Sequence, residues 1–286
     1  MFKRFKKNPE NTGYLFILPW LAGFIGLTVF PIIYSFYLSF FDVTITTEGI
    51  QTRSAGLSNY QTAVTSDIEF INRMVAFLRE IIVSVPLIVI IALLIALLLN
   101  QNLKFRGLFR TIFFLPVIIS SGPVLGKLID LDIATIDAVQ DNAVYEIVAS
   151  MDNLFANSFV YIIDNLIILL WFSGVQILIF IAALHKVDKK IYEAASIDGA
   201  SAWERFWKIT LPSLFPMIMV NIVYTTVMYS VSSLNTIIGH IQTNMFQLET
   251  GFGYSSALSW IYFMLILLIL MAFVGLVSLF NRKYKH

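Results

Sequence analysis

Ile81 to Leu99 is a run of nineteen residues without a single charge, long enough as a helix to cross the hydrocarbon core of a bilayer. Runs of the same kind recur along the chain, at about 14–41, 111–129, 161–184, 211–239 and 258–280. In lipid every backbone amide must find a partner inside its own segment, so such runs fold as helices. The sequence therefore predicts an all-α integral membrane protein with six transmembrane helices. Composition agrees: 58% of the 286 residues are hydrophobic and 13% are charged, against about 25% charged in soluble domains. The basic stretch Met1 to Lys7 looks like the start of a signal peptide. The apolar run behind it is too long for a signal core and lacks a small-x-small cleavage site, so residues 1–13 read as an N-terminal segment and 14–41 as an uncleaved first span. Pro19 and Pro31 are expected to kink that span or set its ends.

Ile191 to Pro212 interrupts the apolar pattern with the sequence IYEAASIDGASAWERFWKITLP. Asp188 is a candidate N-cap for a helix over 189–197. Asp198-Gly199 should break that helix, because glycine enters left-handed backbone at little cost. Ser201 and Glu204 have the spacing of a capping box, which starts a second helix. Pro212 fits the first turn of the next span.

The pattern Glu193-Ala194-Ala195, Gly199, Ile209, Leu211-Pro212 matches without a gap the EAA loop of the membrane subunits of bacterial ABC importers that work with a solute-binding protein. Three other segments resemble the carbohydrate-uptake branch of that family, the one that includes the maltose permeases. Gly56-Leu57-Ser58-Asn59-Tyr60 is similar to its GLxNY element, and 105–116 is similar to the segment entering its third span. Gly253-Tyr254-Ser255-Ser256-Ala257 resembles its entry into the last span. The chain departs from the family in two outer regions. Residues 130–158 lack the usual Trp and Gly-x-x-Asn element, and 240–253 lack Gly-Gly-Pro.

The resemblance implies an importer permease working by alternating access. Its partners would be a second homologous permease, two ATP-binding subunits and an extracytoplasmic solute-binding protein that delivers a sugar or oligosaccharide. ATP and Mg would be bound by the ATPase subunits and not by this chain. The loop 185–210 would dock in a groove of the ATPase through Glu193, Ala194, Ala195, Asp198, Gly199, Ile209, Leu211 and Pro212. A non-sugar solute is the alternative cargo.

Charge placement gives an orientation independently of the motif. The N-terminus, the turn from Lys104 to Arg110, the loop from His185 to Lys208 and the C-terminal tail are basic. The segments 130–158 and 240–253 carry no Lys or Arg. The excess of cations on cytoplasmic loops is expected to put both termini and the Glu193 loop on the cytoplasmic side of the cell membrane. The expected domain is thus 14–286, with a cytoplasmic coupling loop.

Catalytic signatures are missing from the sequence. There is no phosphate-binding Gly-x-x-x-x-Gly-Lys-Ser/Thr loop, no His-Glu-x-x-His and no cysteine, and the three histidines have no metal-ligand spacing. The acids Asp130, Asp132, Asp137, Asp141, Glu146 and Asp152 fit no EF-hand and read as a solvated loop. The expected spans carry no Asp, Glu, Lys or Arg at their centres, where ion-coupled carriers place them. That argues against a secondary carrier, the other alternative.

The polar groups within the expected spans are neutral. Gln176, Asn221, Tyr224, Tyr229, Ser232 and Asn235 are candidates for lining a sugar path, since sugars take neutral hydrogen-bonding groups and aromatic faces. Helix-to-helix hydrogen bonding is the competing role for the same residues. Gly122 and Gly126 frame a Pro-containing segment that serves either close packing or a bend.

Overall fold

A computed structural model describes residues 9–46, 49–101, 107–108, 111, 143–151, 154–247 and 250–284. In chain order the described elements are helix α1 (Pro9–Phe24), a π-helical turn (Ile25–Val29), α2 (Phe30–Leu38), strands β1 (Phe41–Thr46) and β2 (Gly49–Ser54), α3 (Ser58–Thr65) and α4 (Ile68–Asn100). After the undescribed stretch come α5 (Ala143–Ala149), α6 (Leu154–Asp164), α7 (Leu166–Leu184), α8 (Lys189–Ile197), α9 (Ala202–Arg205) and a second π turn (Phe206–Thr210). The chain then continues through α10 (Leu211–Ser230), α11 (Thr236–Met245) and α12 (Gly251–Tyr284).

Five helical stretches are long and apolar enough to cross a membrane: Phe16–Leu38, Ile68–Asn100, Leu166–Leu184, Ala202–Ser230 and Gly251–Asn281. They coincide with five of the six expected spans. The expected third span, 111–129, with its Gly122–Gly126 segment, lies outside the described residues apart from Thr111, and so does most of the acidic segment 130–158.

Several expected boundaries move. The first span ends at Leu38 rather than at 41, because Phe41 already begins a strand. The stretch from Asp42 to Arg79, expected as a mixed polar segment, holds an antiparallel hairpin pairing Phe41 with Ser54 and Thr46 with Gly49, then α3 and the start of α4. This two-stranded hairpin was not part of the all-α expectation. Helix α4 starts at Ile68, well before Ile81. Apolar run length marks what lipid covers, whereas a helix continues through charged residues such as Glu69, Arg73 and Arg79 wherever its backbone bonds continue. The expected fourth span breaks at Asn165, where α6 gives way to α7, and the last span begins at Gly251 rather than at 258.

Both π turns stand directly ahead of a proline. The Phe30 amide bonds back to the Ile25 carbonyl, and the Leu211 amide to the Phe206 carbonyl, each five residues earlier. Pro31 and Pro212 follow at once. Proline removes one amide and crowds the preceding turn, and a widened turn accommodates that inside a continuing helix. Pro212 therefore does not open a new helix as expected. The chain stays helical from Ala202 to Ser230.

The chain divides into two compact units: the described residues of Met1–Asn72 with Gly239–Met264, and those of Arg73–Ile238 with Leu265–His286. In the first unit the Gly-Leu-Ser-Asn-Tyr element fastens the end of α2. The Asn59 side-chain amide donates to the carbonyls of Ser39 and Phe41, both at 3.1 Å, and the Tyr60 and Ser39 hydroxyls pair at 2.7 Å. Gly253 lies so close to β1 that a Cβ there would overlap the Phe41 carbonyl oxygen. The Tyr254 hydroxyl donates to Asp67 at 2.8 Å. Both sequence elements thus hold this unit together.

Asp67 caps α4, accepting from the Phe70 amide at 2.9 Å, and also pairs with His240 Nε2 at 2.8 Å. Partial burial by itself would raise its carboxyl. The bonds from Phe70, His240 and Tyr254 outweigh burial and hold it below the ordinary carboxylate value.

Candidate functional site

Two places in the second unit carry the residues singled out in the sequence, and they are joined by one helix. The first is the hairpin of α8 and α9. The Asp188 carboxylate accepts from the Lys190 amide at 3.0 Å and starts α8. Gly199 has φ +82°, backbone that side chains with a Cβ rarely adopt, and the Ala200 amide closes back on the Ala195 carbonyl at 2.9 Å. The Ser201 hydroxyl accepts from the Glu204 amide while Glu204 Oε2 accepts from the Ser201 amide, a complete capping box. Arg205 reaches across to the Ser196 hydroxyl at 2.7 Å. The Tyr192 hydroxyl pairs with that of Thr210, in the π turn, at 2.8 Å.

Glu193, Ala194, Asp198 and Gly199 are exposed, and Ala195, Ile209, Leu211 and Pro212 are half-buried. The hairpin also presents large apolar side chains that the chain leaves uncovered: Ile197 is 86% exposed and Trp203 is 70% exposed. Such a patch marks a contact surface. Sequence reasoning had passed over Ile197 and Trp203. Their signal was an apolar residue beside a helix break in an otherwise polar loop.

The second place is a cavity of about 270 Å³, whose wall includes Phe77 and Glu80 of α4, Tyr161 of α6, Asn165, Ile168 of α7, Tyr229 of α10, the loop residues Ser232, Leu234 and Asn235, and Thr236. The hydroxyls of Ser84, Tyr161 and Tyr229 form a triangle, with Ser84 to Tyr161 at 2.7 Å, Tyr161 to Tyr229 at 3.3 Å and Ser84 to Tyr229 at 3.5 Å. Asn235 is held at both ends: its side-chain amide donates to the Ser230 carbonyl at 2.8 Å, and its oxygen accepts from the Ile237 amide at 3.0 Å. It ends α10 and starts α11. The expected fifth span, 211–239, therefore stops at Ser230, and Ser232 and Asn235 sit in the loop beyond it.

Of the six path candidates the cavity brings together Tyr229, Ser232 and Asn235. Gln176 and Asn221 are instead buried: the Gln176 amide donates to Thr225 at 2.8 Å, tying α7 to α10. That is the helix-to-helix role for Gln176, whereas the buried Asn221 side chain makes no hydrogen bond among the described residues. Tyr224 is half-buried on α10 and is not among the described wall residues. Glu80, Tyr161 and Asn165 were missed. Glu80 lies one residue before the uncharged run, and the other two lie near the joint at Asn165 that apolar periodicity does not reveal.

The profile of the family described as binding-protein-dependent transport system inner membrane component matches residues 69–286, which includes both places. The chain belongs to this family. It is a multi-pass membrane permease component, and the family is one of transporters rather than catalysts. Among its relatives is the probable ABC transporter permease protein YesP of Bacillus subtilis, 30% identical over 95% of this chain and 89% of that one. The lactose transport system permease protein LacF of Rhizobium radiobacter is 29% identical over 78% of this chain and 74% of its own. A crystal structure of a bacterial ABC transporter involved in the import of the acidic polysaccharide alginate has the same fold, with a TM-score of 0.59 over 96% of both chains at 18% identity.

Proposed function

We propose that this chain is the permease subunit of an ATP-driven importer for a sugar or oligosaccharide, with the hairpin from Asp188 to Thr210 as the coupling element and the cavity around Tyr229 as part of the path. The observation that carries the reading is the unbroken helix from Ala202 to Ser230. It begins in the exposed hairpin and ends beside the cavity, a span of about 40 Å at 1.5 Å per residue. A displacement imposed on the hairpin is carried toward Tyr229 along this continuous helix.

Energy enters from outside the bilayer. ATP and Mg are held by two partner ATPase subunits, whose closure moves the Glu193 hairpin. Ala194, Ala195 and Gly199 let the partner surface approach, Ile197 and Trp203 supply the apolar contact, and Ile209, Leu211 and Pro212 shape the foot of the rod. A second homologous permease covers apolar faces that this chain leaves open, such as Phe16–Leu38, where no residue is buried. A binding protein delivers solute on the outer side. The basic loops support an orientation with both termini and the hairpin in the cytoplasm of a bacterial cell.

A sugar is supported by the wall chemistry, with phenol, amide and hydroxyl groups beside the rings of Phe77, Tyr161 and Tyr229, and by the lactose named for LacF. The test is purification of the tagged chain from its host membrane followed by transport in vesicles. ATPase subunits should co-purify, and sugar uptake should require ATP inside. Uphill uptake by this chain alone on an ion gradient would contradict the reading.

A further inference from the structure

The cavity wall holds one carboxyl group, Glu80, and no Lys, Arg or His among its described residues. Phe77 and Ser84, one turn before and one turn after it on α4, touch the same tyrosines: the Phe77 ring lies 6.4 Å from that of Tyr229, and Ser84 belongs to the hydroxyl triangle. Glu80 lines the same cavity wall as Tyr229. Of the cations on α4, Arg79 directly precedes Glu80, and Arg73 directs its guanidinium to the Thr236 backbone carbonyl at 3.0 Å; neither is among the described wall residues.

We propose that Glu80 sets the charge selectivity of the path, so that the cavity admits neutral and amino sugars and disfavours sugar acids. This rests on the reading of the cavity as a sugar path and goes beyond it by naming the class of sugar. A carboxylate on the cavity wall repels a second carboxylate brought beside it, and exclusion of water by the bound sugar strengthens that repulsion. The same group accepts hydrogen bonds from sugar hydroxyls and, more strongly, from a protonated amine. The phenol, amide and hydroxyl groups of Tyr161, Tyr229, Asn165 and Ser232 bring no positive charge to offset it.

The test uses the whole transporter in lipid nanodiscs without the binding protein, which would otherwise impose its own selectivity. Saturation-transfer NMR reports weak binding of three disaccharides: chitobiose, its neutral N,N′-diacetyl form and digalacturonate. The wild type should bind digalacturonate at least about tenfold more weakly than the neutral probe, and chitobiose no more weakly than it. Glu80→Gln, which keeps shape and hydrogen bonding, should shift both charged-to-neutral ratios toward one. An unchanged ranking in Glu80→Gln would overturn the proposal. Ser232→Trp, checked for intact assembly, separates the two levels. If it abolishes neutral binding while Glu80→Gln leaves the ranking unaltered, only the role of Glu80 fails. If neutral binding survives it, the cavity is not the sugar path and both fail.

Discussion

The hydroxyls of Tyr192 and Thr210 lie 2.8 Å apart and tie the first helix of the hairpin to the π turn at the foot of α10. Thr210 is buried, so the bond is sheltered from water. In the coupling proposed above, it would make α8 move with the rod instead of pivoting on the turn at Gly199. Tyr192→Phe removes one hydrogen bond of about 1 kcal/mol and leaves the exposed face of the hairpin intact. ATPase association should persist, while sugar moved per ATP hydrolysed should fall several-fold. Parallel measurement of uptake and ATP hydrolysis in vesicles checks this, and an unchanged ratio would show that the bond does not transmit force.

Gly199→Asp and Glu193→Lys change the exposed surface and the turn. A residue with a Cβ at φ +82° is strained by about 1 kcal/mol or more, although open space surrounds the position. Membrane insertion should be normal in both variants, and ATPase recovered with the tagged chain should drop. Normal uptake in both would count against the docking surface.

Gly253→Ala should lower the thermal midpoint of the detergent-solubilised protein by several degrees. Its Cβ would meet the Phe41 carbonyl, which is fixed backbone and cannot swing away. Gly275→Ala is the control. No described residue lies near that position, and alanine suits a helix interior better than glycine does, so its midpoint should hold or rise.

Asp67 predicts a pH dependence with a definite sign. Its carboxyl is held below the ordinary value of 3.8 in the folded protein, so the unfolded chain takes up the proton first as pH falls. The stabilisation is complete above about 4 and is lost as the pH drops through the folded value. Asp67→Asn should be less stable at neutral pH and should lose that acid-side component. Thermal unfolding followed from pH 7 to 3 tests both parts.

The helix-turn-helix from Asp188 to Thr210 was legible in the sequence because its signals are local. Asp188, Gly199 and the Ser201–Glu204 pair each act on backbone groups within three residues, so type and spacing suffice. The rod was not legible. Pro212 reads as a start until the π turn behind it is seen, and only the folded backbone shows the Leu211 amide reaching the Phe206 carbonyl. The break at 231–235 was hidden for a related reason: Ser232 and Asn235 look alike whether they line a span or cap its end. Gln176 shows the same limit, since a polar residue in an apolar run marks either a path or a helix contact, and which one depends on the facing helix. Glu80 escaped because an uncharged run was taken to begin at the next residue.

The hairpin's contact with a separate nucleotide-hydrolysing subunit is the central claim, and Ile197 offers the most direct measurement of it. The chain has no cysteine, so Ile197→Cys places a unique thiol on the most exposed apolar side chain of the hairpin. A short thiol-directed cross-linker applied to the purified complex should join this chain to an ATPase subunit in high yield. Absence of that adduct, together with labelling of the same thiol by a membrane-impermeant maleimide on intact cells, would contradict the account.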